Sequence, residues 1–332
     1  MNPDVHDIST LNRKPPQNTV SRRLFLKTSA TFFASTSLSF ISSSCTRRFS
    51  HPHNNHLAGI RFGLLADSHY ADVPPRGSRH YRDSLAKLTA CIDRLNTEQL
   101  DFLIELGDFK DQDTPPDPAR TLVYLEKIEI AFRRFNGPAY HVLGNHDLDS
   151  ISKTQFLSRI QNTGIPADRS YYSFDINHLH IVVLDANFRA DGLPYDRGNY
   201  HWTDTVLPPA QLEWLRRDLA DAARPTLVFI HQCLDGTGDH YVKNAPAVRA
   251  VLEQSGAVLA VFQGHLHTGN LQTINGLPYY TLKAMIEGPY PEHNAFAVAE
   301  IHPDKTIALT GYGSISNQVL SNTRTIPLFP AH

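Results

Sequence analysis

Five short apolar runs in this chain break off into the same kinds of residue. "FGLLA" gives way to Asp67-Ser68-His69, "FLIEL" to Gly107-Asp108, and "YHVL" to Gly144-Asn145-His146-Asp147. "LVFI" runs into His231, and "LAVFQ" into Gly264-His265-Leu266-His267. Each run has the length of a buried strand. Between them lie stretches with helical spacing. Residues 80–96 place Tyr81, Leu85, Leu88, Ile92 and Leu95 on one face, and 119–135 and 245–254 also read as helices. "LPPAQLEWLRRDLADA" (207–222) opens with prolines and continues amphipathically, as a helix start does. Strands alternating with helices imply an α/β fold with a mostly parallel sheet. In such a sheet ligands gather at the carboxyl ends of the strands, where this sequence puts its carboxylates, imidazoles and an amide.

The remaining patterns bound the domain. "YYSFDI" (171–176) and "LHIVVLD" (179–185) form a predicted hairpin around an Asn-His turn, and the last sixty residues read as short strands with glycine-bearing turns. Both features point to a second, mixed sheet. With 332 residues and 41% hydrophobic composition the chain has ample material for one large core. We divide it into an export segment (1–45), a polar linker (46–58), one α/β domain (59–315) and a tail (316–332).

The N-terminal segment carries five basic residues, Arg13, Lys14, Arg22, Arg23 and Lys27, against Asp4 and Asp7. Since the whole chain has a formal charge of −2, the rest carries −5, with no general attraction for nucleic acid phosphates. "SRRLFLK" (21–27) followed by an apolar stretch rich in serine and threonine closely resembles a twin-arginine export signal. That resemblance implies the twin-arginine translocase as a partner and a periplasmic or other extracytoplasmic location. Cys45 closes the segment and is a candidate lipid attachment point, although serine stands where such signals usually carry leucine. Only Cys91 and Cys233 remain, so no disulfide framework is implied. Cys91 reads as a helix core residue and Cys233 as a buried neighbour of His231.

His265 and His267 are two residues apart, so in extended backbone both imidazoles face one side. Asp67, His69, Asp108, Asn145, His231, His265 and His267 make seven candidate ligands, too many for one tetrahedral ion. Two ions sharing a carboxylate use them all. Mixed nitrogen and oxygen donors without thiolates suit manganese, iron or zinc. A two-metal centre activates water and clamps both oxygens of an in-line displacement, which is phosphoester hydrolysis. Gly107, Gly144 and Gly264 allow sharp turns and keep bulk away.

The series "DSH", "GDFKD", "GNHD", "HQ" and "GHLH" resembles the calcineurin-like metallophosphoesterase superfamily over roughly 60–315. The resemblance implies a four-layer α/β/β/α sandwich with a dinuclear site at the strand ends. It assigns Asp67, His69 and His267 to one metal and Asn145, His231 and His265 to the other, with Asp108 bridging and a bridging hydroxide as nucleophile. His146 reaches the phosphoryl group and leaving oxygen, and Asp147 orients its ring. Ile230 stands where the family often has glycine. "FGLLADSHYADVPPRGSRHYRDSL" and "GNHDLDSISKTQFL" are similar to the manganese-dependent ADP-ribose/CDP-alcohol diphosphatase group, which implies a small phosphodiester or diphosphate substrate. Arg76 and Arg79, after the first metal motif, are candidates to grip phosphate. In the long loop 186–206, Tyr195, Tyr200 and Trp202 are candidates to stack on a base, and Arg189 and Arg197 to meet phosphate. The alternatives are a phosphate-scavenging monoesterase, an idle binding scaffold of the same fold, and a metal-binding or redox protein without hydrolytic chemistry.

Overall fold

Side chains along the central strands alternate between two separate cores, and this alternation stacks the domain into layers. The computed structural model describes residues 59–324, so the export segment, the linker and Cys45 lie outside the described residues. One sheet contains β1 (Arg61–Leu65), β2 (Phe102–Glu105), β3 (Ala139–His141), β10 (Ala295–Ile301), β11 (Ile307–Gly313) and β12 (Gln318–Leu320), ordered β12-β11-β10-β1-β2-β3. The other contains β4 (Tyr172–Ile176), β5 (Leu179–Val183), β6 (Thr226–Phe229), β7 (Val258–Gln263), β8 (Asn270–Ile274) and β9 (Leu277–Thr281), ordered β4-β5-β6-β7-β9-β8. Both are mixed: β1, β2 and β3 pair in parallel while β10 joins β1 antiparallel, and β5, β6, β7 and β9 pair in parallel between two antiparallel edges.

Phe62, Leu64, Phe102 and Ile104 point from the first sheet into a shared core with Ile181, Val183, Leu227, Phe229 and Phe262 of the second. Their neighbours one residue on, Leu65 and Leu103, face the other way, as a period of two requires. There they meet α1 (Asp83–Leu95), α2 (Pro118–Phe132) and α3 (Lys153–Leu157). Val182, Val228 and Val261 face outward from the second sheet onto α4 (Pro209–Ala222) and α5 (Ala245–Ser255). The result is the expected α/β/β/α stack.

Two of the helices, α2 and α3, begin at side-chain caps the sequence provides. Asp117 accepts from the backbone amides of Ala119 and Arg120, with Pro118 at the first helical position of α2. Ser152 and Gln155 close a capping box on α3. On α1, Ser84, Lys87, Leu88, Cys91, Ile92 and Leu95 form the buried face.

The domain runs past its expected end at 315. Strand β12 pairs with β11 from Ile307↔Leu320 to Leu309↔Gln318, and Asn322 donates to the Val258 carbonyl at 2.7 Å. Three residues with two exposed side chains are too few to display a strand period, so the sequence does not separate β12 from the tail assigned to 316–332.

Phe62 is fully buried and stacks on Phe102 with ring centroids 4.8 Å apart. Phe62→Ala should cost about 3–5 kcal/mol in urea unfolding, and a cost under about 1 kcal/mol would contradict this packing.

Candidate metal centre

The loops after β1, β2, β3, β6 and β7 meet at one end of the two sheets and are tied backbone to backbone. The Asp67 amide donates to the Gly107 carbonyl at 3.0 Å and the His69 amide to the Asp108 carbonyl at 2.8 Å. The His265 amide donates to the Asp67 carboxylate at 3.1 Å. Asp67, His69, Asp108 and His265 all have positive φ, between 45° and 69°, a costly conformation for residues with a Cβ. Such strain persists where surrounding bonds over-determine it and collects at functional sites. At Gly144 an added Cβ would stand 2.1 Å from the Asp108 amide nitrogen, and at Gly107 it would stand 2.6 Å from His231 Nδ1. Only hydrogen fits at either position.

All seven predicted ligand positions lie in these loops, and six of them form two clusters: Asp67 with His69 and His267, and Asp108 with His231 and His265. Hydrogen-bond partners fix the tautomers. His69 Nδ1 faces Asp111 Oδ2 at 3.1 Å and His267 Nδ1 faces Glu287 Oε1 at 2.6 Å, so both donate from Nδ1. Their Nε2 atoms are left bare, 3.2 Å apart. Two lone pairs facing each other at that distance repel unless a cation lies among them. His231 Nδ1 donates to the Leu106 carbonyl at 2.8 Å, turning Nε2 toward Asp108 Oδ2 at 3.2 Å and His265 Nδ1 at 3.2 Å. Asp108 Oδ2 is also 3.5 Å from His69 Nε2, so this one oxygen sits between the two clusters. Asn145 Oδ1 is buried without a hydrogen-bond partner. The donor set fits two ions sharing Asp108. Outer carboxylates and carbonyls that hold the far side of each imidazole are the usual supports of metal-binding histidines.

Protonation in the metal-free state follows from the same contacts. Burial pushes the imidazolium of His69 down. For His231 burial acts the same way, but the Asp108 carboxylate outweighs it and raises the pKa to about 9. Burial would raise Asp108, yet His231, His146 and His69 hold it well below the usual carboxylate range. A proton on His231 thus occupies the place a metal cation would take.

One expected role moves to a different residue. Asp147 does not orient the His146 ring. Its Oδ2 accepts from the amides of Asp108 at 3.1 Å and Gly144 at 2.8 Å, and its Oδ1 from Phe109 at 3.0 Å and Lys110 at 3.3 Å. A carboxylate with four backbone donors clamps the second and third loops and is geometrically committed there. The His146 Nδ1 atom faces Asp111 Oδ2 at 3.4 Å and Asp149 Oδ2 at 3.7 Å. Asp111 therefore touches both His69 and His146. Burial would lower His146, but Asp111 and Asp108 raise it well above the ordinary value. Asp149 is itself paired with the buried Lys110.

The expected substrate residues separate into two groups. Tyr195 is fully buried, stacked on Tyr200 at 3.9 Å with its hydroxyl donating to the Asp204 carbonyl at 2.7 Å. It has no free face for a base, which corrects that expectation. Tyr200 bonds the Asn145 carbonyl and so braces a ligand loop. Arg189 pairs with Asp191 at 2.5 Å, and the exposed Arg197 with Asp196 at 3.1 Å. Arg76 donates to the Thr114 hydroxyl at 2.8 Å, while Arg79 bridges through its backbone to Glu287. Trp202, 37% exposed, reaches the centre: its ring lies 5.8 Å from His265 and 5.0 Å from His240. Cys233 is buried against the Gly264 carbonyl at 3.5 Å. Asp111, Glu287 and His240 were not anticipated. Asp111 sits inside "GDFKD" three residues after Asp108, a spacing that offered a signal. Glu287 has none, since it arrives from a loop after β9.

These contacts separate the two carboxylates by experiment. Asp111→Asn should lower the His146 pKa in a histidine NMR titration of metal-free protein. Asp147→Asn should leave it nearly in place and cost about 2 kcal/mol or more in unfolding, because one oxygen and its two amide bonds are lost. The reverse pattern would restore the orienting role to Asp147.

A sequence model of the calcineurin-like phosphoesterase family matches residues 60–269. A manganese-dependent ADP-ribose/CDP-alcohol diphosphatase from Oryza sativa subsp. japonica is 29% identical over 290 residues, covering 74% of this chain and 89% of that protein. A 3',5'-cyclic adenosine monophosphate phosphodiesterase from Escherichia coli (strain K12) is 28% identical, covering 58% of this chain and 67% of that protein. Among solved structures, a dimetal phosphatase from Danio rerio superposes with a TM-score of 0.69 at 21% identity, covering 80% of this chain and 100% of the other.

Proposed function

The chain belongs to the calcineurin-like phosphoesterase family, and from that premise we propose that it cleaves the diphosphate of a nucleotide-linked substrate, releasing a nucleoside monophosphate and a phosphorylated alcohol. It is a phosphoric ester hydrolase with two divalent metal ions, manganese among the metals its relatives use. The observation that carries the finer reading is the 29% identity to a diphosphatase of ADP-ribose and CDP-alcohols across nearly that protein's full length. Asp67, His69 and His267 would hold one ion, and Asn145, His231 and His265 the other, with Asp108 between them. When bound, the two ions supply Lewis acidity to water and to the phosphoryl oxygens.

The chain's own side chains supply the rest. His146, with its ring 4.7 Å from that of His69 and 32% of its side chain exposed, is placed to hand a proton to the leaving oxygen. Asp111 and Asp149 face its Nδ1 at 3.4 and 3.7 Å, and Nε2 is the atom we assign to donate. Trp202 and His240 wall the Asp108–His231–His265 side with aromatic surface suited to a base. Arg79, on the Glu287 side, is suited to the charged diphosphate or its far end. Export by the twin-arginine route completes this reading, supported by Ser21, Arg22, Arg23, Phe25, Leu26 and Lys27, with Cys45 as a candidate lipid attachment point.

Manganese-loaded protein offered ADP-ribose, a cyclic nucleotide and a simple monoester side by side should release AMP from ADP-ribose fastest. Turnover of the cyclic nucleotide alone would favour a phosphodiesterase like the bacterial relative, and inorganic phosphate from the monoester alone a scavenging monoesterase. Two bound ions with no turnover would leave the idle scaffold. His146→Ala should lower kcat about 10²–10⁴-fold on poor leaving groups and much less on activated aryl esters. Equal losses on both would remove His146 as the proton donor.

A further inference from the structure

Lys87 lies on α1, well away from the ligand loops in sequence, and is fully buried. Burying an ammonium is costly unless its charge is met, and a methionine or leucine would fill the same space. No carboxylate among the described residues pairs with it. Its Nζ instead donates to four consecutive backbone carbonyls: Met285 at 2.8 Å, Ile286 at 3.2 Å, Glu287 at 3.0 Å and Gly288 at 2.6 Å. Four successive carbonyls converge on this one ammonium, which is the hydrogen-bond donor to Met285, Glu287 and Gly288, while the Ile286 carbonyl also accepts from the His80 amide. The lysine therefore sets the conformation of this strap.

The strap is threaded between the ligands of one ion. The Ala284 amide donates to the His267 carbonyl at 3.1 Å, the Met285 amide to Ala66 at 2.9 Å and the Ile286 amide to Asp67 at 3.1 Å. On its other side Gly288 donates to the Ser78 carbonyl and His80 to Ile286. Glu287, at its centre, holds His267 Nδ1 at 2.6 Å. Among the described residues no hydrogen bond joins the strap to Asp108, His231 or His265; His231 is braced by the Leu106 carbonyl instead.

We propose that Lys87 is a positioning residue for one half of the metal centre: by caging the carbonyls of 285–288 it aims Glu287 at His267 and so sets the metal affinity of the Asp67–His69–His267 cluster alone. The inference rests on the two-ion reading, and the wild-type protein tests that reading separately.

The experiment is a manganese titration of metal-free wild type, Lys87→Met and Glu287→Gln, read by calorimetry and by electron paramagnetic resonance. His267→Ala supplies the reference spectrum of an isolated ion. Wild type should bind two ions and show a spin-coupled pair; fewer than two would defeat the two-ion reading itself. Lys87→Met and Glu287→Gln should each weaken one ion by about tenfold or more, leave the other unchanged, and show the isolated-ion spectrum until the weakened site fills at higher manganese than in wild type. The double variant should be no weaker than the stronger single effect, since both act through one contact. Lys87→Met with wild-type affinities at both sites, or with both sites weakened alike, overturns the proposal, whatever its thermal stability. Should Lys87→Met not fold, Lys87→Gln, whose shorter side chain has only two N–H groups for the four carbonyls, should weaken the same ion. Unchanged affinities there overturn the proposal equally.

Discussion

Two bare imidazole nitrogens face each other at 3.2 Å at the buried end of this domain, with the Asp108 carboxylate oxygen 3.5 Å from one of them. Nothing in ordinary packing favours that arrangement. The two rings donate outward from Nδ1 to Asp111 and Glu287, as His231 does to the Leu106 carbonyl, so they cannot turn those N–H groups inward to relieve it. Fixing those outer contacts creates a cluster of electron-pair donors that only cations can reconcile. The positive φ at Asp67, His69, Asp108 and His265 has the same origin: the backbone is bent to bring donors from different strands to one place.

The layered scaffold makes that bending affordable. Parallel strands from both sheets end on the same side, and a shared core of Phe62, Phe102, Phe229 and Phe262 fixes the sheets against each other. The loops above it hold one another. Asp147 binds four amides of two loops, the strap 285–288 binds a third, and Tyr200 reaches from the long loop to the Asn145 carbonyl. A buried carboxylate at the centre of four amides explains why a residue next to the proposed proton donor serves architecture, while the carboxylate facing the proton donor at 3.4 Å is Asp111.

The sequence made the ligands legible because each follows a strand whose buried run ends abruptly, so position and chemistry coincide at Asp67, Asp108, His231, His265 and His267. The alternation of cores was also visible in outline, since a period of two and a period of 3.6 differ within a few residues. Contacts between loops were not visible. Glu287 and Lys87 act on His267 from 20 and 180 positions away along the chain, and no local pattern encodes such a meeting. Aromatic residues in the loop 186–206 carried no signal of which would be buried. Tyr195 went inward onto the body, and Trp202 reached the centre. Asp147 misled for the same reason, because adjacency to His146 in sequence says little about which group its carboxylate meets.

The account depends on two cations occupying two particular clusters, and anomalous diffraction from manganese-loaded crystals tests this most directly. It predicts two peaks about 3.5–4 Å apart, one among Asp67, His69 and His267 and one among Asp108, His231 and His265, with Asp108 between them. A single peak among His69, Asp111 and His146, the third cluster of suitable donors, would contradict it, as would no peak at all.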